Sequence, residues 1–301
     1  MIQVFLKDLT KYKFIYLMAL PGLLYYAIHD YWPMYGATIA FKQYVPTKGI
    51  MGSPWVGFEH FAEFFNSYYF ERIIINTLLI SLYSIVFGFP MPIILALLLN
   101  EVRKKWFKGT VQTITYLPHF ISVVIISGML IEFSSKSGLF NDIIEWLGGS
   151  RENLLLQPGL FRLIFVSSGI WQEIGWGSII YLAALTGISP ELYEAARMDG
   201  AGRWKQLIHV TLPGITTTIV ILLILRLGQV MNVGFEKVIL LYNPATFETA
   251  DVISTFVYRK GLIEANYSYS AAVGLFNSII NFIILLAANR FSKKISGSGL
   301  F

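Results

Sequence analysis

The chain contains no cysteine. That excludes disulfides, thiolate metal sites and a cysteine nucleophile, and it leaves the redox compartment open. Charge is scarce as well. Asp, Glu, Lys and Arg make up 14% of the 301 residues, against roughly 25% in a soluble globular domain. Motif chemistry is also missing. No G-x-x-x-x-G-K-[ST] loop is present to cradle a nucleotide phosphate, and neither H-E-x-x-H nor G-x-S-x-G occurs. The four histidines, His29, His60, His119 and His209, lie far apart without metal-ligand spacing. An enzyme reading has no positive support.

What the chain does have is apolar surface. Hydrophobic residues reach 55% and aromatics 16%, a balance whose natural solvent is the bilayer. A hydrocarbon core about 30 Å thick takes roughly 20 mostly apolar helical residues to cross. Six stretches meet that length, at about Phe14–Trp32, Arg72–Leu99, Val111–Phe133, Leu160–Leu182, Leu212–Gly234 and Ala271–Phe291. Pro90 and Pro92 are expected to bend the second near its inner end. Gly175 and Gly177 are candidates for a kink in the fourth. The first follows Lys7, Lys11 and Lys13, as a signal peptide would. It has no small-residue cleavage site, however, and ends on His29-Asp30-Tyr31-Trp32-Pro33, an aromatic interfacial exit, so it reads as an uncleaved span.

The basic residues orient the spans. On one side lie Lys7, Lys11, Lys13, Arg103, Lys104, Lys105, Lys108, Arg197, Arg203, Lys205, Arg290, Lys293 and Lys294. The opposite, longer loops hold only Lys42, Lys48, Lys136, Arg151, Lys237, Arg259 and Lys260. This asymmetry places both termini in the cytoplasm. The net charge of +5 is thus a topology signal, not a nucleic-acid footprint. The expected fold is an all-α integral membrane protein, a single transmembrane domain over residues 1–301 with outer loops 34–70, 134–159 and 235–270. In the first of these loops, aromatics from Trp55 to Phe70 interleave with Glu59, His60, Glu63 and Asn66, the pattern of a short helix at the membrane surface. Leu139–Leu147 in the second has similar spacing.

The cytoplasmic loop 186–213 is the most informative segment. Ser189 is an N-cap candidate, Pro190 suits the first helical position, Glu191 favours the positive helix end, and Gly200 and Gly202 stop the helix. Ala195 and Ala196 leave a face with little side chain, where another backbone can approach. Leu192, Tyr193, Ala196 and Met198 put apolar surface on a loop too short to bury it. Either a partner covers that surface or the helix folds back onto the membrane face.

Glu194-Ala195-Ala196, three residues, Gly200, nine residues and then Val210-Thr211-Leu212-Pro213 resembles the EAA motif of ABC importer permeases. Valine at 210 stands where that family usually has isoleucine. Trp32-Pro33-Met34-Tyr35-Gly36, Ala40-Phe41-Lys42 and Trp55-Val56-Gly57-Phe58 resemble the branch that takes up polysaccharides and oligosaccharides. The resemblance covers essentially the whole chain. It implies the six-helix transmembrane domain of a type I ABC importer in the bacterial cytoplasmic (inner) membrane, without an ATPase site of its own. The implied partners are a second permease subunit, two ABC ATPase subunits and an extracytoplasmic solute-binding protein. The implied cargo is a carbohydrate, although the same architecture also serves other solutes. No cofactor is expected on this chain, since ATP and Mg would sit on the ATPase subunits. In such importers the EAA helix couples to the ATPase. Carried over, Glu194 makes the polar contact, Ala195 and Ala196 allow close seating, Gly200 makes the turn, and Arg197 and Asp199 are further candidate contacts.

The translocation path rests on polar residues within spans, which usually face a bundle interior or an aqueous cavity. Glu173 and Arg226 stand out, either as a structural ion pair or as substrate contacts. Around them Trp171, Gln172, Trp176, Gln229, Asn232, Asn277 and Asn281 offer amides for sugar hydroxyls and rings for pyranose faces, and could equally be interhelical polar contacts.

Overall fold

In the computed structural model, residues 11–296 are described. Lys7, both termini and the Gly/Ser tail beyond 296 lie outside them. The described chain is helical, and its extended pairing is limited to an isolated bridge between Lys42 and Trp55. Four stretches are long and apolar enough to cross a membrane: Phe70–Glu101, Val123–Trp146, Arg203–Leu227 and Tyr267–Lys294. A fifth helix, Pro158–Thr186, has 29 residues but is diluted by Arg162, Gln172 and Glu173. Lys13–Tyr26 is helical and continues through a π-turn over Ala27–Tyr31.

The chain divides into two compact units, one of residues 1–66 with 257–275 and the other of residues 67–256 with 276–301. In the first, the Lys13–Tyr26 helix buries none of its residues, and Met18 is 82% exposed. Its apolar surface is directed outward on all sides, as a lipid-facing helix requires. The outer-loop segment behaves differently. Glu59–Phe65 forms the expected short helix but buries His60, Phe61 and Phe64. Phe41 stacks on Trp55 at 5.6 Å and meets Phe58 and Phe61 edge-on or tilted. Ala40, Phe61 and Ala272 close this small core.

The second unit is built around Pro158–Thr186. One apolar cluster joins Phe161, Phe165 and Val166 to Ile80, Ile126, Val238 and Val252. Another joins Tyr181 and Leu185 to Ile93, Ala96 and Ile215. The helix runs unbroken past Gly175 and Gly177, so these residues make no kink. Their role is close packing: a Cβ at Gly175 would overlap the Thr115 carbonyl, and one at Gly177 would lie 3.0 Å from Pro92. In the second span the helix shifts to π hydrogen bonding over Ser84–Gly88, immediately before Pro90. The prolines act there by changing the hydrogen-bond register.

Two spans differ from the sequence expectation. Val111–Phe133 is not one helix. Lys105–Tyr116 gives way to a 3₁₀ turn at Leu117–Phe120, and a new helix starts at Val123 after extended residues 121 and 122. Pro118 lacks the N–H that would continue the ladder. The fifth span begins further in, because Arg203–Gln206 and a π-turn at Leu207–Thr211 lead directly into Leu212–Leu227. Its C-terminal end unwinds at Gly228, so Gln229 and Asn232 lie on non-helical backbone.

Arg72 and Arg162, which the sequence puts inside spans, belong to a polar network. Arg72 pairs with the fully buried Asp251 at 3.5 Å. Asn76 Nδ2 donates to the Glu248 and Asp251 carbonyls, both at 3.0 Å, and Arg162 Nη2 donates to Asn76 Oδ1 at 2.7 Å. Thr249 Oγ1 donates to the Pro158 carbonyl. Two helix ends and the 247–255 segment are thereby locked by bonds that leave few buried polar atoms unmatched.

Candidate functional site

The loop 186–213 folds as its punctuation predicts. Pro190–Met198 is a helix; the Ser189 hydroxyl accepts from the Glu191 N–H at 3.3 Å, Glu191 sits in the first turn and Arg197 in the last. Both charges suit the helix dipole. Gly200 has φ +77°, the left-handed conformation that glycine adopts without strain. The Gly200 N–H donates to the Arg197 carbonyl and the Ala201 N–H to the Ala196 carbonyl, at 3.0 and 2.8 Å. Those two bonds complete a Schellman cap.

The helix presents two faces. Leu192 and Met198 are exposed, Met198 by 89%, as is Trp204 just beyond. Glu194, Ala195, Arg197, Asp199 and Gly200 are exposed too. Among the described residues, the side chains of Glu194, Arg197 and Asp199 have no hydrogen-bond or ion-pair partner. Tyr193 and Ala196, expected to add to the free apolar surface, are instead half-buried. The Tyr193 hydroxyl lies 3.0 Å from Thr211 Oγ1, which fastens the loop helix to the start of Leu212–Leu227. Ile188 packs so tightly on Gly214 that a Cβ there would lie 2.7 Å from it. The loop is therefore anchored on one side and open on the other.

A cavity of about 510 Å³ opens within the second unit. Its walls are the π-turn and proline segment of the second span, the middle of Pro158–Thr186, and the C-terminal end of Leu212–Leu227 with the unwound residues after it. Gln172, Glu173, Arg226, Gln229 and Asn232 line it, so five of the residues singled out in the sequence converge. Trp171, Trp176, Asn277 and Asn281 do not. Asn281 is buried and accepts the Met231 N–H at 3.0 Å, and Asn277 donates to Asn232 Oδ1 at 3.0 Å. The last helix thus uses its amides to hold the unwound segment. Trp176 stacks flat on His119, with centroids 4.6 Å apart and planes 2° from parallel.

The electrostatics differ from the simplest expectation. Arg226 and Glu173 form no ion pair. Glu173 takes His119 Nδ1 at 3.2 Å. Arg226 is exposed in the cavity and has no side-chain hydrogen bond or ion pair among the described residues. A second cation, Lys237, also lines the cavity. The sequence assigns it to an outer loop; the structure buries it to 8% exposure on the short helix Phe235–Leu241. Its Nζ donates to the Phe165 carbonyl at 3.3 Å and lies 5.1 Å from the Phe165 ring centroid. Burial lowers its ammonium to about 8, with Glu173 pulling the other way. The sequence signal was faint but present: Lys237 shares a helical face with Leu241, four residues on.

The geometry, a loop helix docked on one side and open on the other and a polar cavity between spans, is that of a membrane transport subunit. Residues 88–297 match the family of binding-protein-dependent transport system inner membrane components. The chain belongs to that family. It is 45% identical over 294 residues to the polygalacturonan/rhamnogalacturonan transport system permease protein YteP of Bacillus subtilis (strain 168), covering 97% of this chain and 92% of that one. It is 26% identical to the arabinooligosaccharides transport system permease protein AraP of the same organism, over 94% of this chain and 88% of that one. Among solved structures, a chain of a bacterial ABC transporter that imports the acidic polysaccharide alginate superposes with a TM-score of 0.91 at 48% identity, covering 97% of this chain and 99% of that chain. A chain of a bacterial alginate ABC transporter in complex with its alginate pentasaccharide-bound periplasmic protein superposes equally well at 47% identity, covering 98% and 99%.

Proposed function

We propose that this chain is the permease subunit of an ATP-driven ABC importer for an oligo- or polysaccharide, acidic in character, handed over by an extracytoplasmic solute-binding protein. The observation that carries the reading is the capped loop helix Pro190–Met198, bound to its own molecule through Tyr193 and open through Glu194, Ala195, Arg197 and Met198. Exposed apolar area on so short a loop calls for a partner. The chain has no phosphate loop of its own, so that partner is an ATPase subunit, where ATP and Mg bind. A second permease chain, most simply in a heterodimer, completes the pathway.

In this reading six spans cross the bacterial inner membrane and both termini are cytoplasmic. Closure of two ATPase subunits moves the loop helix. The Tyr193–Thr211 contact and the Ile188–Gly214 packing pass the motion to the fifth span, which lines the cavity with Arg226. That is alternating access by rigid-body rocking. Acidic cargo is favoured by the alginate of the two solved neighbours, by the polygalacturonan/rhamnogalacturonan of the YteP relative, and by the two cations on the cavity wall. The test is reconstitution of the permease pair with its ATPases in proteoliposomes. Glycan-loaded binding protein is expected to stimulate ATP hydrolysis and glycan uptake together. Hydrolysis indifferent to the loaded binding protein would overturn the assignment.

A further inference from the structure

The cavity wall carries an imbalance of charge. Arg226 and Lys237 line it, and the carboxylate that faces them, Glu173, is already engaged by His119 at 3.2 Å. An ammonium has three donors, and Lys237 directs one of them to the Phe165 carbonyl. Among the described residues no carboxylate lies within ion-pair distance of it. Burying an ammonium without an ion pair is costly, so a lysine 8% exposed is a poor choice for structure alone. The space around it is kept open. Gly169 faces Lys237, whose Nζ would lie 3.8 Å from a Cβ at that position, and a second hollow of about 330 Å³ also borders Lys237. Gln172, Gln229 and Asn232 add amides to the same wall. Two cations with no ion-pair partner among the described residues, against a single carboxylate at Glu173 and beside amides that bond hydroxyls, match a sugar that carries a carboxylate. Guanidinium and ammonium bind that group by charge-assisted hydrogen bonds.

We propose that Lys237 and Arg226 form a carboxylate-binding subsite in this cavity, which takes a uronic-acid unit of the passing glycan. Gln172 and Gln229 contact its hydroxyls, and the His119 contact holds the Glu173 carboxylate outside ion-pair distance of the two cations. The proposal rests on the carbohydrate-permease reading above and adds where the acidic group is held. It also gives Lys237 a role: the outer-loop helix delivers a specificity-determining cation into the path.

The experiment uses the full importer in proteoliposomes, with an oligouronide and its carboxyl-reduced counterpart each presented on saturating binding protein. The readout is the ratio of acidic to reduced glycan uptake. Lys237→Met and Arg226→Gln are each expected to lower that ratio roughly tenfold, the size expected for one charge-assisted hydrogen bond. Lys237→Arg is expected to retain it. Because the ratio compares two cargoes in one preparation, reduced assembly of a variant does not mimic the effect. Arg226→Gln, at an exposed side chain, keeps the test readable if Lys237→Met does not insert. A wild-type ratio in both charge-removing variants overturns the subsite. Inhibition by inorganic phosphate as strong as that by free oligouronide makes it a general anion site and overturns the uronate assignment. If the wild-type assembly transports neither glycan, the carbohydrate reading itself fails, and the subsite with it.

Discussion

Lys237 and Asn281 show how single residues change meaning once neighbours are known. In the sequence, Lys237 is one of several basic residues of the outer loops, and only its i,i+4 spacing to Leu241 hints at burial. Only the packing of Phe235–Leu241 places its ammonium on the Phe165 carbonyl. Asn281 moves in the opposite direction, from a candidate substrate contact to a bracket for the backbone at Met231. The polar residues of the spans were legible as important because lipid makes them expensive. Which of them faces the cavity was not, since an amide that binds a sugar and an amide that binds a backbone N–H look alike in one dimension. The Asn281 role has a consequence for stability. Asn281→Ala is expected to orphan the buried Met231 N–H and to destabilise the purified permease by about 1–3 kcal/mol, measured as a lower midpoint in thermal unfolding. An unchanged midpoint would remove the bracket.

Elements with strong local punctuation were readable almost to the residue. The loop helix is bounded by Ser189 and Gly200, as capping chemistry requires. What local chemistry could not supply was its orientation: Tyr193 and Ala196 turn inward and Leu192 and Met198 outward, because Thr211 offers a hydroxyl to Tyr193. Gly175 teaches the same lesson. A glycine within a span permits either a bend or a close approach, and the Thr115 carbonyl across from it decides for the approach. The third span reads as continuous in sequence because its apolar run continues past Pro118, whereas its hydrogen-bond ladder does not. At this scale the coupling assignment is directly testable. Gly200→Val forces a branched side chain into a left-handed backbone, and Glu194→Lys reverses an exposed charge. Both variants are expected to insert normally and to lower transport per ATP hydrolysed at least severalfold. Wild-type coupling in both, measured in vesicles, would remove the helix from the coupling role.

For the molecule as a whole, topology rests on the distribution of charge and apolar length, and the absence of cysteine makes it convenient to examine. A single cysteine at Ser137, in the outer loop 134–159, is expected to react with an impermeant maleimide added to intact cells. One at Ser189 is expected to react only after the membrane is opened. The reverse pattern would invert the orientation. The large exposed apolar side chains, from Phe14 and Met18 at one end of the chain to Phe282 near the other, belong to a protein whose solvent includes lipid.

Composition and the punctuation of one short loop were sufficient to indicate the bilayer and the bounds of the loop helix, and the positive-side bias sets the expected orientation. These depend on local properties, such as transfer free energy, helix capping and charge near a membrane, that act residue by residue. The cavity, its five converging polar residues and the buried Lys237 come from tertiary structure. They depend on which faces of separate helices meet, and that is set by close-packing contacts such as Gly175 on Thr115 and Asn281 on Met231 between residues far apart in the chain.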